Sequence, residues 1–435
     1  MTLTRYLVLS LLIFSLHSAV RADPYADVTN GRGAVITPAY FGVHLHRLVV
    51  QPADHAVETR WPELDFGSLR LWDSGTRWAD IAPSAGTWNF ERLDKYVGTA
   101  NSHNASVLYT LGSPPRWASA RPDEACPYGL GCAAEAARAE LWEDYVRHVA
   151  ARYGNKIAAY ELWNEPKLSD IGRDRNAAGF YSGSVAQLVS MAKSARTVLD
   201  AVAPKALLCT PGFTNGPDRL ELFLAAGGAK YVQAVCYHFY AGNSGDFVRQ
   251  VGAIRTIMKR YGVERLPLWN TETGVEVHAT SNAATGMIAR THEDATAFLS
   301  QLLILGAASG IEHFYYYAWD NFISGMVAPD GAARPGLQTM QRLQGWLIGA
   351  RLTGCKSTDD IVQCEGIRGS DHFLIAWAGT DRKRSINAPS GWRAVAVDSL
   401  DGDAAAHVTA TIGTSEIQLG PLPVRLRLAR STAFQ

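Results

Sequence analysis

Between Ala39 and Ala350, short apolar runs alternate with longer stretches in which apolar residues recur every three or four positions. That alternation marks a parallel α/β fold, in which each strand is followed by a helix that covers the sheet. Eight runs read as strands: Tyr40 to Leu45, Gly67 to Trp72, Ser106 to Leu111, Ile157 to Trp163, Ala206 to Thr210, Gln233 to Tyr240, Leu266 to Glu272 and Ile311 to Trp319. Among the helical stretches, Ala139 to Tyr153 carries Trp142, Tyr145, Val146 and Val149 on one face, with Gly154 as a stop. Another opens with Ser184 and Gln187, a capping-box pair. Eight strand–helix repeats predict a (β/α)8 TIM barrel with insertions, because an open doubly wound sheet usually has fewer strands.

Beyond Ala350 the rhythm changes. Turn signals at Arg368-Gly369-Ser370-Asp371, Ala388-Pro389-Ser390-Gly391, Asp401-Gly402 and Gly420-Pro421 separate the runs Phe373 to Trp377, Val395 to Val397, His407 to Ile412 and Val424 to Leu428. A small C-terminal antiparallel, sandwich-like accessory domain is expected over residues 351–435, after the barrel over 23–350. At the other end, Arg5 precedes the apolar run Leu7 to Leu16, and Val20-Arg21-Ala22 offers small residues around a cleavage point. Residues 1–22 therefore read as an export signal, and the mature chain is expected in the periplasm or outside the cell. No stretch reaches the roughly 18 apolar residues of a membrane helix.

Charge removes one class of partner. The 435 residues include 41 basic and 41 acidic side chains, so a nucleic acid meets no bulk attraction. Six cysteines in an exported chain suggest disulfides. Cys126 with Cys132, and Cys355 with Cys364, each bracket a short loop and are expected to close locally. Cys209 and Cys236 sit on neighbouring strand candidates, where a bridge and two buried thiols are both open readings.

Candidate chemistry gathers where the barrel strands end. Tyr160-Glu161-Leu162-Trp163-Asn164-Glu165-Pro166 closes the fourth strand candidate, and Leu268-Trp269-Asn270-Thr271-Glu272-Thr273-Gly274 closes the seventh. Active sites of such barrels lie at the C-terminal strand ends, so Glu165 and Glu272 are expected to face each other across the mouth. Two carboxylates so placed are what glycoside hydrolysis requires: one protonates the leaving oxygen, and the other attacks the sugar or activates water.

These motifs resemble the clan A retaining glycoside hydrolases, whose acid/base and nucleophile occupy strands four and seven. The wider set Leu69-Arg70-Leu71-Trp72, Trp78, Trp88-Asn89-Phe90, Leu93-Asp94, Gly112-Ser113-Pro114-Pro115-Arg116-Trp117 and Tyr237-His238-Phe239-Tyr240 is similar to glycoside hydrolase family thirty-nine. Within it, the nearest likeness is to exported hydrolases of biofilm exopolysaccharides of the Psl type. The resemblance covers roughly residues 39 to 350 and implies Glu165 as acid/base and Glu272 as nucleophile. It places Asn164 on the sugar 2-hydroxyl and Arg70 beside Glu272, where a cation would hold the carboxylate ionised. His238 and Tyr240 alternate onto one face near the two carboxylates. Trp319 offers an apolar floor to a sugar ring, against a competing place in the core, and His44 is a further substrate-binding candidate. Trp72 and Trp117 are assigned to the core, and Asp320 reads as a turn residue. No cofactor is implied. The expected partner is a polysaccharide or oligosaccharide, the expected state a monomer, and the expected action endo-type cleavage of a bacterial exopolysaccharide.

Three alternatives remain. An exo-acting β-xylosidase or iduronidase belongs to the same family. His44-Leu45-His46, with His238 and Asp320, outlines a metal site of barrel amidohydrolases, although the bridging lysine and the strand-five histidine of that family are missing. A non-catalytic polysaccharide-binding barrel is the third.

Overall fold

The computed structural model describes the chain except residues 1–22, 51–56, 176–178, 278–279, 282–287, 322–323, 381, 403–408, 412–413 and 432–435. The export signal expected over 1–22 lies outside the described residues, as do the ends of the run His407 to Ile412.

All eight barrel strands form: β1 (Phe41–Val43), β2 (Ser68–Leu71), β3 (Ser106–Thr110), β4 (Ala159–Glu161), β5 (Leu207–Cys209), β6 (Val235–Tyr237), β7 (Leu268–Thr273) and β8 (Ile311–Tyr316). They pair in parallel in the order β5-β4-β3-β2-β1-β8-β7-β6. Parallel bridges Cys209↔Ala234 and Phe213↔Tyr237 bring β5 to β6 and nearly close the barrel. Most ladders stop short of the end of their apolar run, because its last residues leave the sheet to build the mouth; β7, which continues to Thr273, is the exception. The helix Ala139–Tyr153 buries Trp142, Tyr145, Val146 and Val149, and the helix Val185–Val202 starts on the Ser184–Gln187 capping box.

Past the helix Gly336–Leu347, the chain turns to antiparallel strands: β9 (Arg351–Thr358), β10 (Ile361–Arg368), β11 (Asp371–Ala378), β12 (Arg382–Asn387), β13 (Trp392–Ser399), β14 (Thr409–Thr411), β15 (Thr414–Leu419) and β16 (Val424–Arg430). They form a five-stranded sheet, β9-β10-β11-β16-β13, and a three-stranded one, β12-β15-β14. Leu374, Ala376, Ile386, Ile417, Leu419 and Leu426 form a small core of their own. Leu352, Phe373, Ile375 and Trp377 belong instead to the cluster that fills the barrel periphery, so the hydrophobic core runs across the junction.

Two side-chain stitches reinforce this. The helix Pro24–Thr29 lies along β9: Cys355 N donates to Thr29 Oγ1 (2.7 Å) and Ser357 N donates to Asp23 Oδ2 (2.8 Å). In the helix His292–Ala308, Gln301 Nε2 donates to Pro421 O (2.6 Å). Cys126–Cys132 and Cys355–Cys364 are bonded, with Cα atoms 5.9 and 4.0 Å apart. Cys209 and Cys236 are free and buried on β5 and β6, so the reading as two thiols is the one realised.

Candidate active site

The geometry of the mouth starts where β4 ends. After Glu161 the regular ladder stops, and Asn164 pairs with Gly212 in an isolated parallel bridge. Gly212 N donates to Trp163 O and Glu165 N donates to Gly212 O, both at 2.9 Å. This double tie aims Glu165 into the mouth with a left-handed backbone, φ 41°. A non-glycine residue held there carries conformational strain, a feature that clusters at functional sites. Across the barrel, Glu272 is the fifth residue of β7 and 7% exposed.

The two carboxylates meet around His238. Its Nδ1 lies 2.9 Å from Glu165 Oε1 and 3.9 Å from Glu272 Oε1. Ligand-type atoms of Glu165, His238 and Glu272 all lie within 4.8 Å of one another, which bounds the closest approach of the two carboxylates. Tyr240 Oη donates to Glu272 Oε1 (2.9 Å) and Arg70 Nη1 donates to Glu272 Oε2 (2.8 Å), so each oxygen of Glu272 is held from one side. The same guanidinium, wholly buried, donates from Nε and Nη2 to Glu161 Oε2 and from Nη2 to Asn164 Oδ1 (2.7 Å). Thr110 Oγ1 adds a third donor group to Glu161 Oε2 (2.9 Å).

Arg70 was expected to hold Glu272 ionised. Burial raises its pKa above the ordinary 4.5, with help from Glu165 and Asp73, and outweighs the pull of the Arg70 cation. The cation is shared with Glu161, and the Glu272 side chain is 9% exposed, against 23% for Glu165.

Two other candidates are buried. His44 is wholly buried: its Nε2 contacts Thr271 O (3.1 Å), its ring stands edge-on to Tyr317 at 5.1 Å, and burial with Arg70 nearby drives its pKa well below 6.5. It is a neutral wedge between β1 and β7, with no surface for substrate. Trp319 is 3% exposed and packs edge-on to Phe66. Trp319 N donates to His44 O and Val327 N donates to Trp319 O, which ties this residue back to β1 and behind the mouth.

Tyr317 stands at the mouth instead, half-buried, with its hydroxyl donating to Asp73 Oδ2 (2.8 Å). The other oxygen of Asp73 accepts from Tyr128, which arrives on the Cys126–Cys132 loop. Tyr128 stacks on Phe180 at 5.4 Å, over Trp72, and under the Arg77 guanidinium. Asp73, Tyr128 and Tyr317 thus line the side of the cleft next to Glu272, whose charge raises both phenol pKa values after burial and Asp73 have done so. A separate cavity of about 580 Å³, lined in part by Thr339, Arg342, Val397 and Leu422, holds none of these residues.

The outlined histidine metal site does not assemble. Asp320 spends its carboxylate on the backbone N–H groups of His46 and Arg47 (2.8 and 2.9 Å), and His44 is committed to Thr271. Among the described residues, the one cluster with metal-ligand spacing is Glu165, His238 and Glu272. A cation there would sit against the Arg70 guanidinium, 2.8 Å from Glu272, which repels it.

No family model matches the sequence, and no curated protein matches it. Solved structures do. A family 39 glycoside hydrolase from Bacteroides cellulosilyticus WH2 superposes with a TM-score of 0.66 at 16% identity, over 90% of this chain and 81% of that one. A GH30 endoxylanase from Clostridium papyrosolvens C71 gives 0.61 at 13% identity, over 93% and 98%. A GH39 enzyme from Xanthomonas axonopodis pv. citri gives 0.59 at 16% identity, over 93% and 96%. The likeness is one of fold. It covers the C-terminal strands as well as the barrel, which the resemblance read from motifs did not.

Four site residues escaped the sequence reading. Glu161 and Tyr317 carried a signal: a carboxylate inside an apolar strand, and an aromatic two positions before Trp319 on the same alternating face. Asp73 and Tyr128 carried none, because they meet across 55 residues through a disulfide loop.

Proposed function

We propose that this chain is a retaining glycoside hydrolase that cleaves an exopolysaccharide internally, by double displacement. The observation that carries the reading is the close approach of Glu165 and Glu272, under 4.8 Å between oxygens, on either side of one histidine. Retaining enzymes hold their carboxyl groups about 5 to 5.5 Å apart, and inverting ones about 6.5 to 9.5 Å, to admit a water. Glu272, oriented by Arg70 and Tyr240, attacks the anomeric carbon while Glu165 gives its proton to the leaving oxygen. The bond from sugar to leaving group breaks as the bond to Glu272 forms. Water then attacks the glycosyl-enzyme, Glu165 takes a proton from it, and Glu272 leaves with the configuration retained.

Asn164 turns its carbonyl toward Arg70, which leaves its amide N–H groups for the 2-hydroxyl of the sugar. Tyr317 and Tyr128 supply aromatic faces beside Glu272 for the C–H face of a ring. The motif resemblance to exopolysaccharide hydrolases supports the endo-type reading, and the apolar leader favours work in the periplasm or outside the cell. The barrel is shared with solved glycoside hydrolases, which agrees with the proposed chemistry.

Product analysis on a panel of bacterial exopolysaccharides tests the substrate. A ladder of oligosaccharides early in the reaction supports internal cleavage. Monosaccharide release alone, or turnover confined to aryl xylosides or iduronides, would replace it with the exo-type alternative.

A further inference from the structure

Two buried polar atoms next to the acid/base have no hydrogen-bond partner among the described residues: Glu161 Oε1 and His238 Nε2. Both side chains are wholly buried. Both atoms lie against Gly212: the point where a Cβ on residue 212 would sit is 2.4 Å from His238 Nε2 and 2.7 Å from Glu161 Oε1, so the two atoms are at most 5.1 Å apart, a span that one water can bridge. Residue 212 is glycine, and its φ lies outside the left-handed range, so space rather than backbone conformation accounts for it. Leaving two such atoms without a partner costs the desolvation of each, and more for a carboxylate. One water with a donor on one side and an acceptor on the other removes both costs.

We propose that Glu161 acts on the acid/base at second hand: through one water in the Gly212 notch it accepts the proton of His238 Nε2 and so fixes the tautomer that His238 presents to Glu165. The direction follows from the three donor groups already gathered on Glu161 Oε2, two from Arg70 and one from Thr110. The carboxylate can only accept, so the water donates to Oε1 and accepts from Nε2–H. A neutral imidazole with its proton on Nε2 offers a bare Nδ1. That nitrogen lies 2.9 Å from Glu165 Oε1, and only a protonated Glu165 satisfies it. The resting enzyme thus parks on Glu165 the proton that the leaving oxygen needs. When substrate binds, this proton passes to the leaving oxygen, and the second step returns one from water. His238 keeps its Nε2 proton throughout. Glu161 is a positioning residue, and the inference rests on the proposed acid/base role of Glu165.

The other groups around this pair are Arg70 on β2, Glu272 on β7, Tyr240 beyond β6, neutral His44 beyond β1, and the thiols of Cys209 and Cys236 on β5 and β6. Of these, Arg70 and Glu272 bring the formal charges, and a Glu161→Gln exchange leaves both in place. In E161Q, the amide oxygen must take the Oε2 position to keep its three donor groups, which drives the NH2 into the notch. The water then reverses, Nε2 becomes the acceptor, and Nδ1–H faces Glu165 and favours its ionised form. The basic limb of kcat/KM for a substrate with a poor leaving group is expected to move down by about one pH unit. A dinitrophenyl substrate, which needs no proton, should show no such shift.

Neutron diffraction from crystals of the unaltered protein in heavy water reads the same arrangement without any variant and without activity. Deuterium on His238 Nε2, with a D2O oxygen within about 3.2 Å of both Nε2 and Glu161 Oε1, supports the inference even if the chain proves not to cleave sugars. Deuterium absent from Nε2, or a notch without a bridging water, overturns it. An E161Q protein that loses activity equally on both substrates with an unmoved basic limb also overturns it, because that is the behaviour of a merely structural ion pair.

Discussion

Glu272 combines two demands that pull against each other. It must be ionised to attack, yet it is buried, and burial raises its pKa above the ordinary 4.5 despite Arg70. The sign follows directly: as pH falls through that raised value, Glu272 takes up a proton and the nucleophile is lost. The acidic limb of kcat/KM is therefore expected above pH 4.5, and a limb below it would contradict the burial argument. Tyr240→Phe removes the donor on Glu272 Oε1 and should lower kcat by about tenfold, the effect of about 1.4 kcal/mol in the transition state. EDTA should leave turnover unchanged, since the carboxylates supply acid, base and nucleophile; loss on chelation, restored by zinc, would favour the cluster of Glu165, His238 and Glu272 as a metal site. At this scale the sequence carried the charged pair and its flanking His238, Tyr240, Asn164 and Arg70, because their positions follow from strand alternation. It left Trp319 open between a sugar floor and the core and offered His44 to substrate; both side chains are buried, beside backbone ties that form only when β1 and β8 lie side by side.

The strand–helix alternation was legible because period two and period 3.6 leave separate marks, and all eight strand candidates became strands. Their ends were not legible, because a strand that leaves its ladder to build a mouth keeps the same apolar residues, as at Leu162 and Trp163. Loops were the least readable element. The Cys126–Cys132 loop was expected as a local closure, and its cargo, Tyr128, became evident only from the contact with Asp73. Because the disulfide holds a phenol against the cleft, replacing both cysteines by serine should raise KM by about tenfold, or about 1.4 kcal/mol, with kcat little changed. Tyr128→Phe in the bonded loop should give part of that rise. If the double variant keeps the unaltered KM, the loop has no part in binding sugar.

Across the whole molecule, the C-terminal strands read as a separate accessory module, yet Leu352, Phe373 and Trp377 share the barrel's core cluster and the helix Pro24–Thr29 is stitched to β9. Composition changes at residue 351 while packing does not, so a boundary in pattern is not a boundary in stability. Removing residues 351–435 should expose this apolar face and leave a barrel that aggregates, and calorimetry of the full chain should give one cooperative transition. Two well-separated transitions would make the sandwich an independent unit. What the assembled mouth does is tested most directly by azide rescue followed by the configuration of the glycosyl azide. Glu272→Ala should lose hydrolysis by on the order of 10⁴ to 10⁶, and azide entering from the vacated side should give an inverted product. Glu165→Ala should keep turnover of a dinitrophenyl glycoside and yield, with azide, a product of retained configuration. Retention from Glu272→Ala with inversion from Glu165→Ala would exchange the two roles, and no azide product from either variant would contradict double displacement at this site.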